Sequence, residues 1–274
     1  MNARGLVLDW LGTASSVSGV FLSLFVHDVA QRVAIRFGPR AHQRAVSSMA
    51  RWINRSASLS GARFVVRGVE HVDPARSYVV VMNHQSLLDI SMASEFLATL
   101  APRYVSKIEL SRGIPGVSYN LRCGGSALID RKDPAQAHAL IADIGRRARD
   151  EGLSVVIFPE GTRSRSGAMK PFKPGGLHTL LAHAAGVPVL PVTSYGGSRM
   201  FKKGLTPLQR DVELGFIIHP PVRAPDPSDE GAFAAFVRDL EATIASALPP
   251  EDQRGEAGAP ERRRRPAAPA PHPR

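Results

Sequence analysis

The chain has 274 residues, 43% hydrophobic and 22% charged, a globular composition whose length suits one domain with decorated ends. A single cysteine, Cys123, excludes an internal disulfide framework and a cysteine-based zinc site, and it is expected as a small buried apolar side chain. The net charge of +11 implies an anionic partner.

In chain order, residues 6–26 approach the length of a bilayer span, but Asp9, two glycines and several hydroxyl residues dilute them, and no A-x-A cleavage site follows. Next come Arg32, Arg36, Arg40, Arg44, Arg51 and Arg55, at spacings that put them near one helical face. Gly38-Pro39 should divide this stretch into two helices, with Val29, Val33, Phe37, Val46, Met49, Trp52 and Ile53 as apolar surface. Residues 1–58 therefore read as a helical membrane-association segment rather than a solvated basic face.

Residues 59–250 alternate short β-rich runs with helical stretches. RFVVRG, SYVVVMN, RYVSK, GSALID, LSVVIFPE, VPVLPVTSY and VELGFIIHP are the predicted strands. Helices are predicted over 86–100, 134–150, 176–185 and 228–248. This pattern predicts an α/β domain: a mostly parallel mixed sheet of about seven strands flanked by helices, with ligand sites beyond the carboxyl ends of strands. Residues 251–274 hold six arginines against four acids, only +2 of the total, and lack large apolar residues, so they read as a disordered basic tail without a specific nucleic-acid partner.

Chemistry concentrates at two strand ends. In NHQSLLD, His84 follows the strand directly, and Ser86 and Asp89 have the spacing of a capping box. If the turn folds back, Asp89 can fix the tautomer of His84 and stabilise its charged form, making the ring a general base. In FPEGTRS, Glu160, Gly161, Thr162 and Arg163 follow another strand, where a glycine, free amides and a guanidinium suit an anion. Lys107 and Arg131 also fall at strand ends, and Lys170 and Lys173 lie downstream. His178 and His183 in HTLLAH lack the HExxH glutamate and read as packing or surface histidines; no metal site is expected. No GxSxG elbow supports a hydrolase.

These blocks, NHQSLLD at 83–89, GGSALIDR at 124–131, FPEGTRS at 158–164 and VPVLPV at 187–192, resemble in order and separation the 1-acyl-sn-glycerol-3-phosphate acyltransferases and related glycerolipid acyltransferases. The resemblance implies His84 as catalytic base with Asp89 as its partner, and Lys107, Arg131, Glu160, Gly161, Thr162 and Arg163 as the acceptor-binding set. It implies acyl transfer from acyl-CoA or acyl carrier protein to the sn-2 hydroxyl of a lysophosphatidate, forming phosphatidic acid, with no cofactor beyond the thioester co-substrate. Its expected partners are the phospholipid surface, the acyl donor and a lysophospholipid acceptor, at the cytoplasmic face of the inner membrane. Other lyso-lipids, such as a lyso-ornithine lipid or glycerol phosphate, remain alternative acceptors, and a non-enzymatic anionic-lipid-binding protein is the alternative of another class.

Overall fold

The computed structural model describes residues 3–254 apart from 165, 203 and 205. Its sheet has seven strands: β1 (Arg63–Arg67), β2 (Val79–Met82), β3 (Arg103–Lys107), β4 (Ala127–Ile129), β5 (Val155–Ile157), β6 (Val189–Tyr195) and β7 (Glu213–Ile218). They lie in the order β1-β7-β6-β2-β5-β3-β4. Every pairing is parallel except β6 with β7. The β-branched runs that predicted strands form its centre: β2, β5 and β6 are buried throughout, as strands covered on both faces must be.

Alternation along β2 divides the core in two. Val80 and Met82 face α3 (Leu88–Phe96), packing with Met92, Leu97, Leu190 and Phe216. Val79 and Val81 face α5 (Pro134–Asp150), α6 (Pro174–His183) and α8 (Glu230–Ser246), meeting Ile144, Leu177, Leu180, Phe233 and Leu240. Fully burying each such side chain contributes about 1.5–3 kcal/mol. Asp133 caps α5 by accepting from Gln136 N–H at 3.0 Å, and Asp229 caps α8 by accepting from Ala232 N–H at 2.9 Å.

Several expectations shift. The helix expected from Ser86 starts at Leu88 and ends at Phe96, because Ser86 and Leu87 are used in the turn and Ala98–Leu100 tightens into a 3₁₀ turn. Pro174 brings α6 forward by two residues. A short α4 (Val117–Cys123) was not foreseen; only Ser118 and Leu121 of it are buried, so Cys123 is exposed rather than buried. A four-residue α7 (Gly197–Met200) follows β6. The first four residues expected in the tail, 251–254, are helical instead. Residues 250–254 form α9 (Pro250–Arg254), held to the body through Asp252, while residues 255–274, including the arginine run, lie outside the described residues.

The amino end is a helical hairpin, α1 (Ala3–Ala34) and α2 (Pro39–Ser58), broken at Gly38 with Pro39 opening the second helix. At a rise of about 1.5 Å per residue, α1 is about 48 Å long, and the segment from Val7 to Phe37 is long and apolar enough to cross a membrane. Its sidedness is inverted. Thr13, Ser16, Ser23, His27 and Gln31 are buried, whereas Trp10, Phe21, Phe25, Val29, Val33 and Phe37 are exposed. Ser23 Oγ donates to Met49 C=O at 3.2 Å, and the His27 ring meets Ser48 Oγ at 3.1 Å. Gly19 gives the two helices their close approach: a Cβ there would sit 2.9 Å from Ser56 Cβ. α2 turns Val46, Met49, Ala50 and Asn54 inward and leaves Arg40, Arg44, Arg51 and Arg55 exposed.

Candidate active site

β2 ends at Met82 between β5 and β6, so the chain leaves the sheet at Asn83 and His84, at the carboxyl end of a central strand. Asn83 fastens this exit. Its amide donates to Ser194 C=O at 2.8 Å and accepts from Ser194 N–H at 2.7 Å, tying β2 to β6. The turn through Gln85, Ser86 and Leu87 then brings Asp89, on the first turn of α3, back against the imidazole, with His84 Nδ1 2.7 Å from Asp89 Oδ2.

Asp89 is fully buried and accepts five hydrogen bonds. Oδ2 takes those of His84 Nδ1, Gln85 N–H at 2.7 Å and Ser86 N–H at 2.8 Å. Oδ1 takes those of Ser194 Oγ at 2.7 Å and Ser86 Oγ at 3.2 Å. A carboxylate so supplied is an acceptor only, so Nδ1 must carry the proton and Nε2 the lone pair. The His84 side chain is 16% exposed, and Nε2 has no partner among the described residues. The capping box expected at Ser86 is thus half formed: Asp89 reaches back to Ser86 N–H, but Ser86 Oγ accepts from Leu88 N–H at 3.1 Å instead of reaching the third helical position.

Glu160 departs from its expected place in an acceptor-binding set. It is buried, and each carboxylate oxygen is occupied: Oε1 accepts from His84 N–H at 2.7 Å and Oε2 from Lys170 N–H at 3.0 Å. Burial pushes its carboxyl up to about 7, with the two amides opposing the shift. Glu160 therefore holds the backbone of His84 instead of facing a ligand. Ser164 N–H adds a bond to His84 C=O at 2.7 Å, and the Phe158 ring stacks on the imidazole at 4.3 Å between centroids. The sequence reading gives Phe158, Asn83 and Ser194 no role, and places Ser164 only in the anion-binding loop after the strand. All but Ser194 lie inside the quoted blocks, and Ser194 stands two residues beyond VPVLPV.

The exposed residues Thr162 and Arg163 follow Glu160 in the turn after β5, the strand beside β2. Thr162 Oγ1 and Arg163 C=O both accept from Lys170 Nζ, at 3.1 and 3.2 Å, which draws the downstream lysine into the same loop. Lys107 ends β3 and Arg131 follows β4, one and two strands further out. With strands about 4.8 Å apart, Arg131 leaves the sheet roughly 14 Å from His84, so Arg163 is the near cation and Arg131 the far one. The structure joins His84, Asp89 and Glu160 by direct contacts and sets Gly161, Thr162 and Arg163 beside them; Lys107 and Arg131 share the same edge without touching that group. An open groove of about 590 Å³, lined in part by Pro74, Arg76, Ser154 and Pro188, lies at the opposite, amino ends of β2, β5 and β6 and includes none of these side chains. His178 binds Pro227 C=O at 2.9 Å and meets Phe233 edge-on, and His183 binds Thr179 C=O at 2.9 Å, so both are packing histidines.

The acyltransferase family profile matches residues 63–195, from β1 to the end of β6, and so contains every residue of this site. Over that span the chain is similar to the acyltransferase family. Mouse 1-acyl-sn-glycerol-3-phosphate acyltransferase alpha is 33% identical over 188 residues, 68% of this chain and 65% of the relative. The Escherichia coli K12 1-acyl-sn-glycerol-3-phosphate acyltransferase is 32% identical over 156 residues, 57% of this chain and 62% of the relative. The chain thus spans less than two thirds of the length of these curated relatives. The crystal structure of the 1-acyl-sn-glycerophosphate (LPA) acyltransferase PlsC from Thermotoga maritima is similar with a TM-score of 0.65 and 25% identity, covering 88% of this chain and 93% of that one.

Proposed function

We propose that this protein moves a fatty acyl group from acyl-CoA or acyl carrier protein to the sn-2 hydroxyl of 1-acylglycerol-3-phosphate, forming phosphatidic acid. One observation carries the reading. The His84–Asp89 pair, bonded at 2.7 Å, leaves Nε2 open at a strand end flanked by cations. Nε2 removes the hydroxyl proton as that oxygen attacks the thioester carbonyl, and Asp89 stabilises the imidazolium that results. When the tetrahedral intermediate collapses, the thiolate leaves and recovers the proton from His84. The transfer involves no net oxidation or reduction, and the thioester enters as substrate, so the proposal invokes no cofactor.

Arg163 is the cation best placed for the acceptor phosphate, with Lys107 and Arg131 extending the positive edge; binding then sets the reaction geometry. The exposed apolar face of α1 and the arginines of α2 support residence on a phospholipid surface, from which a lysophospholipid enters. Soluble thioester donors favour the cytoplasmic face of the inner membrane.

An acyl-transfer assay with a labelled thioester and a panel of lyso-acceptors, run beside His84→Ala, tests the reading. Transfer to lysophosphatidate should fall by about 10²–10⁴-fold in the variant. Activity that survives the substitution, or fatty acid released without an acceptor, would overturn it; transfer to another lyso-lipid alone would keep the chemistry and change the acceptor.

A further inference from the structure

The short carboxyl-terminal helix α9 carries a carboxylate into the back of the site. Asp252 is 2% exposed, in a part of the sequence whose composition predicts disorder. Its Oδ2 accepts from Gly196 N–H at 3.2 Å, and Arg199 Nη1 lies 3.9 Å away while also pairing with Glu251. Gly196 directly follows β6, the strand whose Ser194 donates to Asp89. The Asp252 carboxylate also faces the side chain of Gln85, the residue next to His84, and packs against Gly167, whose C=O accepts from Gln85 Nε2.

Gln85 is the centre of this arrangement. Its backbone N–H donates to Asp89 Oδ2 at 2.7 Å, and its side-chain Nε2 donates to Gly167 C=O at 2.8 Å. Gly167 lies on the loop that begins with Arg163 and is closed tightly on Asp252. Its φ is +89°, and a Cβ there would sit 2.9 Å from Asp252 Oδ1, so only glycine lets the loop approach this far. One buried carboxylate thus contacts the turn carrying His84, the loop following Glu160 and the turn after β6.

We propose that Asp252 is a positioning residue for the catalytic pair: it orients the Gln85 side chain, and through it the backbone N–H that Gln85 gives to Asp89. The proposal rests on the reading of His84 as the base. It assigns α9 to the machinery of the site, although 163 residues separate Asp252 from Asp89.

Full-length Asp252→Ala is the test, with kinetics and the imidazole nitrogen resonances of His84, assigned by comparison with His84→Ala. The expected result is a drop in kcat of about tenfold, KM for the thioester changed less than about twofold, and a displaced His84 resonance. Adding Gln85→Ala should cost little more, because the two side chains act in series. Folded Asp252→Ala with an unchanged His84 resonance overturns the proposal, whatever its kcat, since any loss then arises elsewhere. If Asp252→Ala does not fold, Asp252→Asn is read in the same way; it keeps the shape but turns an amide toward Gln85 Nε2. A displaced resonance in Asp252→Ala alongside an active His84→Ala would bring down the assignment of the base and leave the clamp standing.

Discussion

The amino-terminal hairpin and the sheet solve opposite solvent problems. Along β2, β5 and β6 every side chain is buried, and the apolar ones make the core. Along α1 the buried face is mostly hydroxyls, an imidazole and an amide, and apart from Leu24 most of the large apolar side chains point outward. Ser23, His27 and Gln31 pack against α2 because each gains a partner there, on Met49 or Ser48, but the exposed phenylalanines and valines gain nothing from water. Trp52 on α2 and Leu59 just past its end are also exposed, beside the arginines of α2. Composition alone would rank both regions as hydrophobic; their sidedness separates a core from a face suited to lipid.

The comparison yields separable predictions. The largest effect belongs to the sheet end: Asp89→Asn keeps the shape and the hydrogen-bonded turn but removes the charge that stabilises the imidazolium. Turnover should fall by about 10²–10⁴-fold with vesicle partition unchanged, as read by kinetics and co-sedimentation. An altered partition would mean that the regions are coupled through this carboxylate. The hairpin should show the converse. Phe25→Asp places a charge on the exposed face and should weaken association with anionic vesicles by roughly 10–100-fold, while kcat on a short-chain, soluble acceptor is retained. Unchanged sedimentation would remove α1 from the membrane-binding surface.

The smallest effect concerns Glu160, whose carboxyl burial raises to about 7. Between the ordinary carboxylate range and pH 7, the folded chain holds a proton that the unfolded chain has released. This contribution to stability is therefore complete at low pH and is lost as pH rises toward 7. Glu160→Gln should remove the slope, so that between pH 4.5 and 7 its urea midpoint falls less than that of the parent, by on the order of 2 kcal/mol in stability. A parallel pair of pH profiles would show that Glu160 is ionised throughout and held so by its two amide donors.

Much of this was legible because local signals and burial agree. Runs such as VVVM and VVIF admit few readings besides buried strands, and the pairing of His84 with Asp89 follows once the helix starts after Ser86. What escaped depends on contacts between distant segments. Glu160 reads as a polar residue in an anion-binding loop until the fold sets its two oxygens against the amides of His84 and Lys170, 76 and 10 residues away. Ser194 is invisible within an apolar strand, although its hydroxyl reaches Asp89 from 105 residues along the chain. Gly12 and Gly19 count against a membrane helix in composition, yet they stand where Ser60 and Ser56 of the hairpin come close. Cys123 follows the general habit of free cysteines only until α4 proves too short to bury both its sides.

The anchoring of the hairpin bears on how the protein can be handled. Thr13 Oγ1 accepts from Leu208 N–H at 2.8 Å, Asp28 Oδ1 from Gly116 N–H at 2.8 Å, and Asn54 Oδ1 from Ser91 Oγ at 2.7 Å, on the helix that carries Asp89. Cutting away residues 1–58 to obtain a detergent-free preparation would uncover all three donors and the surface beneath α2. Repainting the outer face of α1 with polar side chains leaves those attachments in place, and is the better starting point for a soluble enzyme.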